Sequence, residues 1–242
     1  MTAGLRLAVG LLTAVPVGDV GAVDREAAKQ ALWWFVPVGA ALGAAASVVL
    51  VLAERLGLSA LTAAALALAS LAVLTRGLHL DGLADTADGL GSRRSADRAL
   101  AVMRASDIGP FGVAALVLVL FIQVTSLAEA SWRALLVAVV IGRLSILGCC
   151  ARRVPAARTD GLGVLVAGTA SWPLLVITAC VVAGGAFLAV GWVGLVALLL
   201  ALGAAAGLVW HCMQRLGGIT GDVMGAAVEL TTTLALLVMA TG

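Results

Sequence analysis

Charged residues are scarce in this sequence of 242 residues, in which Asp, Glu, Lys and Arg make up 12% and hydrophobic residues 62%. Soluble domains carry about 25% charged residues. The mean hydropathy is +1.15, and apolar runs continue to the C-terminus. This pattern excludes a soluble enzyme with a single membrane anchor and predicts a polytopic integral membrane protein.

Basic residues are also few, and they are not interleaved with aromatic side chains. Lys29 is the only lysine, and aromatic residues amount to 4% of the chain. Nucleic-acid-binding surfaces usually combine a basic stripe with stacking aromatics or a recognisable motif. We therefore expect no nucleic-acid partner. The net charge of +2 does not point to any other class of partner.

Cysteines are sparse, and their spacing excludes the usual metal and redox motifs. None of the four forms a CxxC pair, and they are Cys149, Cys150, Cys180 and Cys212. Cysteines within or beside apolar runs usually serve as small packing residues. We expect all four to be reduced.

Seven apolar runs are long enough to cross about 30 Å of hydrocarbon, which takes about 20 residues. They cover residues 32–53, 59–78, 109–128, 132–151, 172–190, 192–210 and 223–240. A shorter run, residues 5–15, predicts a re-entrant or interfacial segment. The sequence thus predicts a single domain over residues 1–242, an all-α polytopic membrane bundle of about seven transmembrane helices with that short N-terminal segment.

Tryptophans and paired glycines support these boundaries. All six tryptophans fall at predicted span ends, where an aromatic belt is expected; they are Trp33, Trp34, Trp132, Trp172, Trp192 and Trp210. The pairs Gly39/Gly43 and Gly203/Gly207 fit the GxxxG pattern of close helix packing.

The basic residues predict the orientation of the spans. One side would carry Arg25, Lys29, Arg93, Arg94, Arg98, Arg104, Arg152, Arg153, Arg158 and Arg215, whereas the other would carry Arg55 and Arg133. Loops rich in Lys and Arg usually stay in the cytoplasm. We therefore expect the richer side, which also holds most polar loops, to be cytoplasmic.

Three of the chain's thirteen acidic residues fall within the stretch HLDGLADTADGLG, at Asp81, Asp85 and Asp88. At about 100° per residue, Asp85 lies about +40° and Asp88 about −20° from Asp81 on a helix. All three carboxylates are therefore predicted to project from one helix face.

Carboxylates at this spacing repel each other. Two unit charges roughly 5–6 Å apart repel by about 3 kcal/mol at an effective dielectric near 20. A divalent cation would offset this repulsion, and hard cations such as Mg²⁺ prefer oxygen ligands. The alternative is a solvated helix end with one carboxyl protonated.

A second polar constellation, HCMQRLGGITGD, ends at Asp222. Gly218 and Gly221 would let the backbone approach a ligand closely, and peptide N–H groups in such a loop can bind phosphate. Asp222 is a fourth candidate metal ligand, and Glu229 is predicted to lie deeper on the same helix. The alternatives are a tight interhelical turn and an Asp222 that only caps the last span.

Three further polar residues are candidates for substrate binding. His79 begins the Asp-rich stretch and is a candidate ligand or acid–base group. Arg104 is suited to bidentate phosphate binding or to interfacial anchoring. Arg143 lies inside a predicted span, so it is expected to point inward towards a carboxylate or a ligand phosphate.

Several segments resemble one family in order along nearly the whole chain. HLDGLADTADGL (79–90), RALAVMRASDIGPFG (98–112) and GGITGDVMGAAVEL (217–230) resemble cobalamin synthase, the adenosylcobinamide-GDP ribazoletransferase family. LLTAVPV (11–17) and WWFVPVGAALG (33–43) resemble its N-terminal pattern. The chain departs from the family at Ala14 and at Asp107, where basic residues are usual.

The resemblance implies a transmembrane transferase domain in the cell (inner) membrane that uses Mg²⁺. Its substrates would be adenosylcobinamide-GDP and α-ribazole or α-ribazole 5′-phosphate, and its products adenosylcobalamin or its 5′-phosphate and GMP. Asp81, Asp85 and Asp222 would be metal ligands, and Asp88 a ligand or the base, so that Asp85 and Asp88 are the catalytic candidates. Oligomeric state, including a homo-oligomer, stays open.

Two other functions are weighed against this one. A CDP-alcohol phosphotransferase has similar Asp-rich chemistry, but its pattern requires arginine after Ala84, where this chain has Asp85. A transporter would be expected to place polar groups near the membrane midplane in repeated halves, and the sequence shows no internal repeat.

Overall fold

The computed structural model describes residues 2–18 and 23–241, and every element within these ranges is a helix. The helices are α1 Ala3–Leu12, α2 Arg25–Arg55, α3 Ala60–Leu74, α4 Leu78–Gly91, α5 Ala96–Val102, α6 Pro110–Glu129, α7 Trp132–Cys149, α8 Leu162–Val166, α9 Trp172–Val190, α10 Trp192–Leu216 and α11 Gly221–Met239. Two isolated β-bridges join Ala151 to Ala170 and Ala156 to Ile219.

Six of these helices, α2, α6, α7, α9, α10 and α11, are each long and apolar enough to cross a membrane. Helices α3 and α4 meet the same criterion only together, as a pair bent by 89°. The structure therefore confirms an all-α polytopic membrane bundle with six or seven spans.

The central spans are α7 and α11. In their most apolar 18-residue segments, 72% and 67% of the segment is buried within the protein. Helices α9 and α6 are the most exposed of the six, with 17% and 22% of the corresponding segments buried. Exposed apolar side chains on these outer helices suit contact with lipid. The two central spans also bury polar residues, namely Arg143 and Ser145 on α7 and Thr231, Thr232 and Thr233 on α11.

The predicted span over residues 59–78 is wrong at its C-terminal end. Helix α3 ends at Leu74, and Arg76 and Gly77 adopt positive φ angles of 56° and 68°. This left-handed turn suits glycine but strains arginine, and the Arg76 side chain donates a hydrogen bond to the Gly10 carbonyl at 3.0 Å. The chain turns sharply at this point, and the Asp-rich stretch forms the separate helix α4.

Helix α4 lies on the side of the bundle where α2 begins. Ala14, just after α1, donates its backbone N–H to the Leu74 carbonyl at 2.7 Å, while Gly4 of α1 packs against Gln30 of α2. The end of α3 and the start of α2 therefore share one face with α1. Because α4 turns by 89° from α3, it runs along this face beyond the end of α3.

One glycine pair packs as predicted and the other does not. In α2, Gly39 lies against the Arg143 side chain and Gly43 against Leu136 and Val139 of α7. A Cβ added at Gly203 or Gly207 of α10 would meet nothing within 4 Å among the described residues. The GxxxG prediction thus holds for the α2–α7 contact only.

Candidate active site

A cavity of about 360 Å³ opens on the face along which α4 runs. Side chains from α1, α2, α4, α7, α11 and the segment around α8 form its walls. Its charged or polar lining residues are Arg76, His79, Asp81, Arg158, Asp160, Thr220 and Asp222, and its larger apolar ones are Leu11, Leu12, Phe35, Leu78, Ile146, Val164, Val166, Ile219 and Met224. The cavity therefore combines one charged wall with an apolar interior.

Two glycines allow α4 and α11 to meet at this wall. A Cβ at Gly82 would lie 2.7 Å from the Asp222 carbonyl oxygen, and one at Gly225 would lie 3.2 Å from the His79 Cα. Contact this close requires residues without side chains. It brings Asp222 beside the α4 carboxylates, although the two helices are far apart in the sequence.

Asp85 experiences the combined charge of this region. Burial, together with the neighbouring carboxylates of Asp81, Asp222 and Asp88 in decreasing order of effect, raises its pKa to about 6, and Arg158 opposes this shift. The same carboxylates that raise its pKa would all favour a bound cation. Asp81 and Asp222 therefore lie close enough to Asp85 to act on its charge, and the metal site that the three residues would form stays a prediction.

Asp222 is not the residue that caps α11. Thr220 is the N-cap, and its Oγ1 accepts a hydrogen bond from the Val223 N–H at 3.2 Å. The Asp222 Oδ2 lies 3.1 Å from Thr220 Oγ1 and 3.5 Å from Arg158 Nη1. Since Thr220 does the capping, the Asp222 carboxylate remains directed towards the cavity wall.

Asp88 is placed differently from its sequence-based prediction. It is buried, and its Oδ2 and Oδ1 accept hydrogen bonds from the Gly109 and Gly112 N–H groups at 2.7 and 2.9 Å. These donors belong to the N-terminus of α6, where a carboxylate is favourable. Asp88 therefore anchors α6 to α4, and its two oxygens are held away from the cavity that a metal ligand or base would have to reach.

Arg158 is a site residue that sequence reasoning did not single out. Its Nη2 donates to the Leu100 carbonyl at 3.0 Å, and 17% of its side chain is exposed. Its Nε is buried without a hydrogen-bond partner among the described residues. Only its place in a basic, glycine-containing loop hinted at this position. Arg76 also lines the cavity, although the sequence placed it inside the predicted span over residues 59–78.

His79 lines the cavity and also borders a second, much smaller one of about 20 Å³. It is buried, and its Nε2 has no hydrogen-bond partner within the described ranges. The structure thus places His79 beneath the charged wall, where the sequence predicted a substrate-binding residue.

Arg143 and Glu229 line the small cavity and not the large one. Arg143 is 2% exposed, and Glu229 accepts a hydrogen bond from Gln123 Nε2 at 2.8 Å. In the described part of the chain no direct ion pair joins Arg143 to Glu229. Arg143 does point inward as expected, but it borders a polar cluster within the bundle instead of the large cavity.

Of the remaining residues predicted to bind substrate, one lines the cavity and two do not. Gly221 lines the cavity. Gly218 instead packs tightly against the backbone of Pro155 and Ala156, where a side chain would collide. Arg104 forms an exposed ion pair with Asp160 and lines a shallow neighbouring depression.

The carboxylates fit a hard cation that is shared with a substrate. No group of three His, Cys, Asp or Glu side chains in the described residues is spaced as a complete metal site. Mg²⁺, however, usually takes one or two protein carboxylates and completes its shell with substrate phosphates and water. Asp81 and Asp222 on the cavity wall, with Asp85 beside them, offer such a donor set.

Comparisons with known proteins point to one family. A family model described as cobalamin-5-phosphate synthase matches residues 4–240. An adenosylcobinamide-GDP ribazoletransferase of Nocardioides sp. is 42% identical over 97% of this chain and 97% of its own length. Proteins of the same name from Frankia casuarinae and Bradyrhizobium diazoefficiens are 39% and 36% identical, covering 97% and 98% of this chain and 93% of each relative.

No solved structure matches this chain. The family match nevertheless extends over nearly the whole chain, including both segments that build the charged wall of the cavity. The chain therefore belongs to the cobalamin-5-phosphate synthase family of membrane transferases.

Proposed function

We propose that this protein joins α-ribazole, or α-ribazole 5′-phosphate, to adenosylcobinamide-GDP. A ribose hydroxyl attacks the phosphorus attached to the cobinamide side of the diphosphate. The bond from that phosphorus to the bridging oxygen breaks, GMP leaves with that oxygen, and the proton of the attacking hydroxyl is released. The products are adenosylcobalamin, or its 5′-phosphate, and GMP.

The observation that carries this proposal is the convergence of α4 and α11 on one cavity. Phosphoryl transfer depends mainly on positioning and on neutralising the phosphate oxygens. Asp81 and Asp222 lie on the cavity wall together with Arg158, and the backbone contact at Gly82 fixes their relative position. The family membership supports the identity of the two substrates.

We propose Mg²⁺ as the cofactor, held by Asp81, Asp85 and Asp222. When bound, it would neutralise charge on the diphosphate oxygens. Arg158 and Arg76, which flank the cavity, would bind further oxygens of the diphosphate and orient it. Asp88 is not part of this set, because its oxygens bind the N-terminus of α6.

The apolar interior of the cavity suits the aromatic base of the riboside. Leu12, Phe35 and Ile146 line it, and its volume of about 360 Å³ falls within the range of about 300–1,000 Å³ typical of small-ligand sites. A corrin ring with its side chains is larger than this space. We therefore propose that the riboside occupies the cavity while the corrinoid stays at its mouth.

We also propose that the cavity faces the cytoplasm from the cell (inner) membrane. The face along which α4 runs carries Arg93, Arg152 and Arg158, whereas Arg55 and Arg133 lie at the opposite helix ends. This asymmetry is the one expected for the cytoplasmic side.

A product assay tests the proposed function. Purified protein in lipid vesicles is given Mg²⁺, adenosylcobinamide-GDP and α-ribazole 5′-phosphate, and the mixture is resolved by chromatography with mass detection. We expect GMP and adenosylcobalamin 5′-phosphate in equal amounts and neither product when the riboside is omitted. GMP release without a cobalamin product would indicate a hydrolase and contradict the proposal.

A further inference from the structure

A second concave feature lies on the same face as the cavity but shares none of its lining residues. This basic notch, of about 430 Å³, is formed by Arg25, Glu26 and Lys29 of α2, Arg152 after α7, and residues 168–171 before α9. Three cations and one carboxylate therefore line it. The excess of positive charge predicts an anionic occupant.

The notch is built around fixed backbone. Arg25 Nη2 donates to the Ala167 carbonyl at 2.7 Å. Gly168, with φ of +70°, lies between the two arginines, because a Cβ there would be 3.6 Å from the Arg152 carbonyl oxygen and 3.7 Å from Arg25 Nη2. The position of Arg25 is thereby set by the protein itself.

The other two cations remain available to a ligand. Arg152 is exposed and makes no hydrogen bond or ion pair within the part of the chain that the structure describes. Lys29 pairs with Glu26 at 3.3 Å, but both side chains are more than half exposed, at 52% and 62%. An exposed pair of this kind contributes little and is readily exchanged for another anion.

An apolar groove of about 440 Å³ adjoins the notch, and Arg152 lines both. The groove is formed by Ala151, Ala170, Trp172 and Leu175, with Arg153 beside Arg152. Its floor is paired backbone, since Ala151 bridges to Ala170. Trp172 is 73% exposed at the start of α9, the position of an interfacial aromatic residue.

We propose that the notch and groove together bind one anionic phospholipid. The phosphate of the headgroup would lie between Arg152 and Lys29, and an acyl chain would follow the groove past Trp172 and Leu175. Basic pockets between spanning helices at a membrane face commonly bind anionic headgroups. The N-termini of α2 and α9 both begin here, and their positive ends add to the attraction.

A zwitterionic lipid fits this site less well. Its headgroup carries a cation that would meet Arg152 and Lys29, and like charges oppose each other. A soluble phosphate would satisfy the notch but leave the groove unused. The shared position of Arg152 between the two features therefore favours a molecule with both an anionic and an apolar part.

Lipid titration followed by native mass spectrometry tests the proposal on the full-length protein in detergent. We expect phosphatidylglycerol to bind at least tenfold more tightly than phosphatidylcholine. Lys29→Gln and Arg152→Gln should each weaken phosphatidylglycerol binding about fivefold, the effect of one interfacial cation. Arg55→Gln, which removes an exposed arginine at the other end of α2, should change nothing.

Two further arms separate lipid from free phosphate. Trp172→Ala alters only the groove and should weaken phosphatidylglycerol binding while the notch stays intact. Millimolar inorganic phosphate should leave the bound lipid in place. Equal binding of the two lipids, unchanged affinity in a Lys29→Gln/Arg152→Gln double variant, or displacement of the lipid by inorganic phosphate would overturn the proposal.

Discussion

Gly82 of α4 lies directly against the backbone of Asp222 at the start of α11, so that a Cβ there would be 2.7 Å from the Asp222 carbonyl oxygen and 3.0 Å from its Cα. The atoms on the other side of this contact are backbone, and they cannot move aside as a flexible side chain would. The contact therefore sets the distance between the carboxylates of the two helices.

Gly82→Ala should displace α4 from α11. Overpacking of this kind costs about 1–3 kcal/mol of stability, and misplacement of the carboxylates by about 1 Å should lower turnover by about 100-fold. Product assays and thermal unfolding in detergent measure the two effects. Gly207→Ala is the matched control, because a Cβ at that position meets nothing within 4 Å of the described residues, and it should keep full activity.

Asp88→Asn should act on stability more than on metal binding. The amide would place an N–H₂ group against the Gly109 or Gly112 N–H that now donates to a carboxylate oxygen. Leaving a buried donor unsatisfied costs about 1–3 kcal/mol, which should appear as a lower unfolding temperature. An unchanged unfolding temperature together with loss of Mg²⁺ dependence would show that Asp88 is a ligand after all.

Arg158→Ala should lower kcat/KM for adenosylcobinamide-GDP by at least tenfold, because charge-assisted hydrogen bonds contribute about 1.5–3 kcal/mol. Arg158→Lys should restore part of the charge but not the forked geometry. The control is Arg104→Ala, which removes an exposed ion pair with Asp160, and such pairs contribute about 0–1 kcal/mol. Equal losses in both alanine variants would argue against a diphosphate-binding role for Arg158.

The proposed orientation can be read from cysteine accessibility. In a background without the four native cysteines, cysteine at position 93 should be labelled only after the membrane is opened, and cysteine at position 129 should be labelled from outside. The arginine asymmetry is the physical basis of this expectation. Labelling of position 93, but not 129, by an external reagent would reverse the orientation.

Hydropathy and helical spacing were sufficient to predict most of the fold. They also predicted two acidic residues of the charged wall, Asp81 and Asp222, but not its arginines. Both are local properties, so the span over residues 172–190 agrees with α9, Trp172–Val190, and Asp81 and Asp85 lie together on α4 as expected. The convergence with Asp222 also followed, because an alternating series of spans returns the chain to the same face.

Features that depend on distant contacts could not be predicted in this way. The turn at Arg76 and Gly77 interrupts an apolar run without proline, and it is held partly by the hydrogen bond from Arg76 to Gly10. Asp88 has the same spacing as its neighbours but meets α6, whose N-terminal N–H groups take both its oxygens. The role of Arg158 depends on how its loop folds onto α11.

The metal site proposed between α4 and α11 is tested most sharply by product formation measured against Mg²⁺ concentration in the wild-type protein and in Asp81→Asn and Asp222→Asn. We expect no product in excess EDTA, recovery on addition of Mg²⁺, and both a higher Mg²⁺ requirement and lower turnover in each variant. Asp97→Asn, an exposed carboxylate on α5, should behave as wild type. Full activity in EDTA, or an Asp222→Asn variant with wild-type turnover and Mg²⁺ dependence, would contradict a metal site shared by α4 and α11.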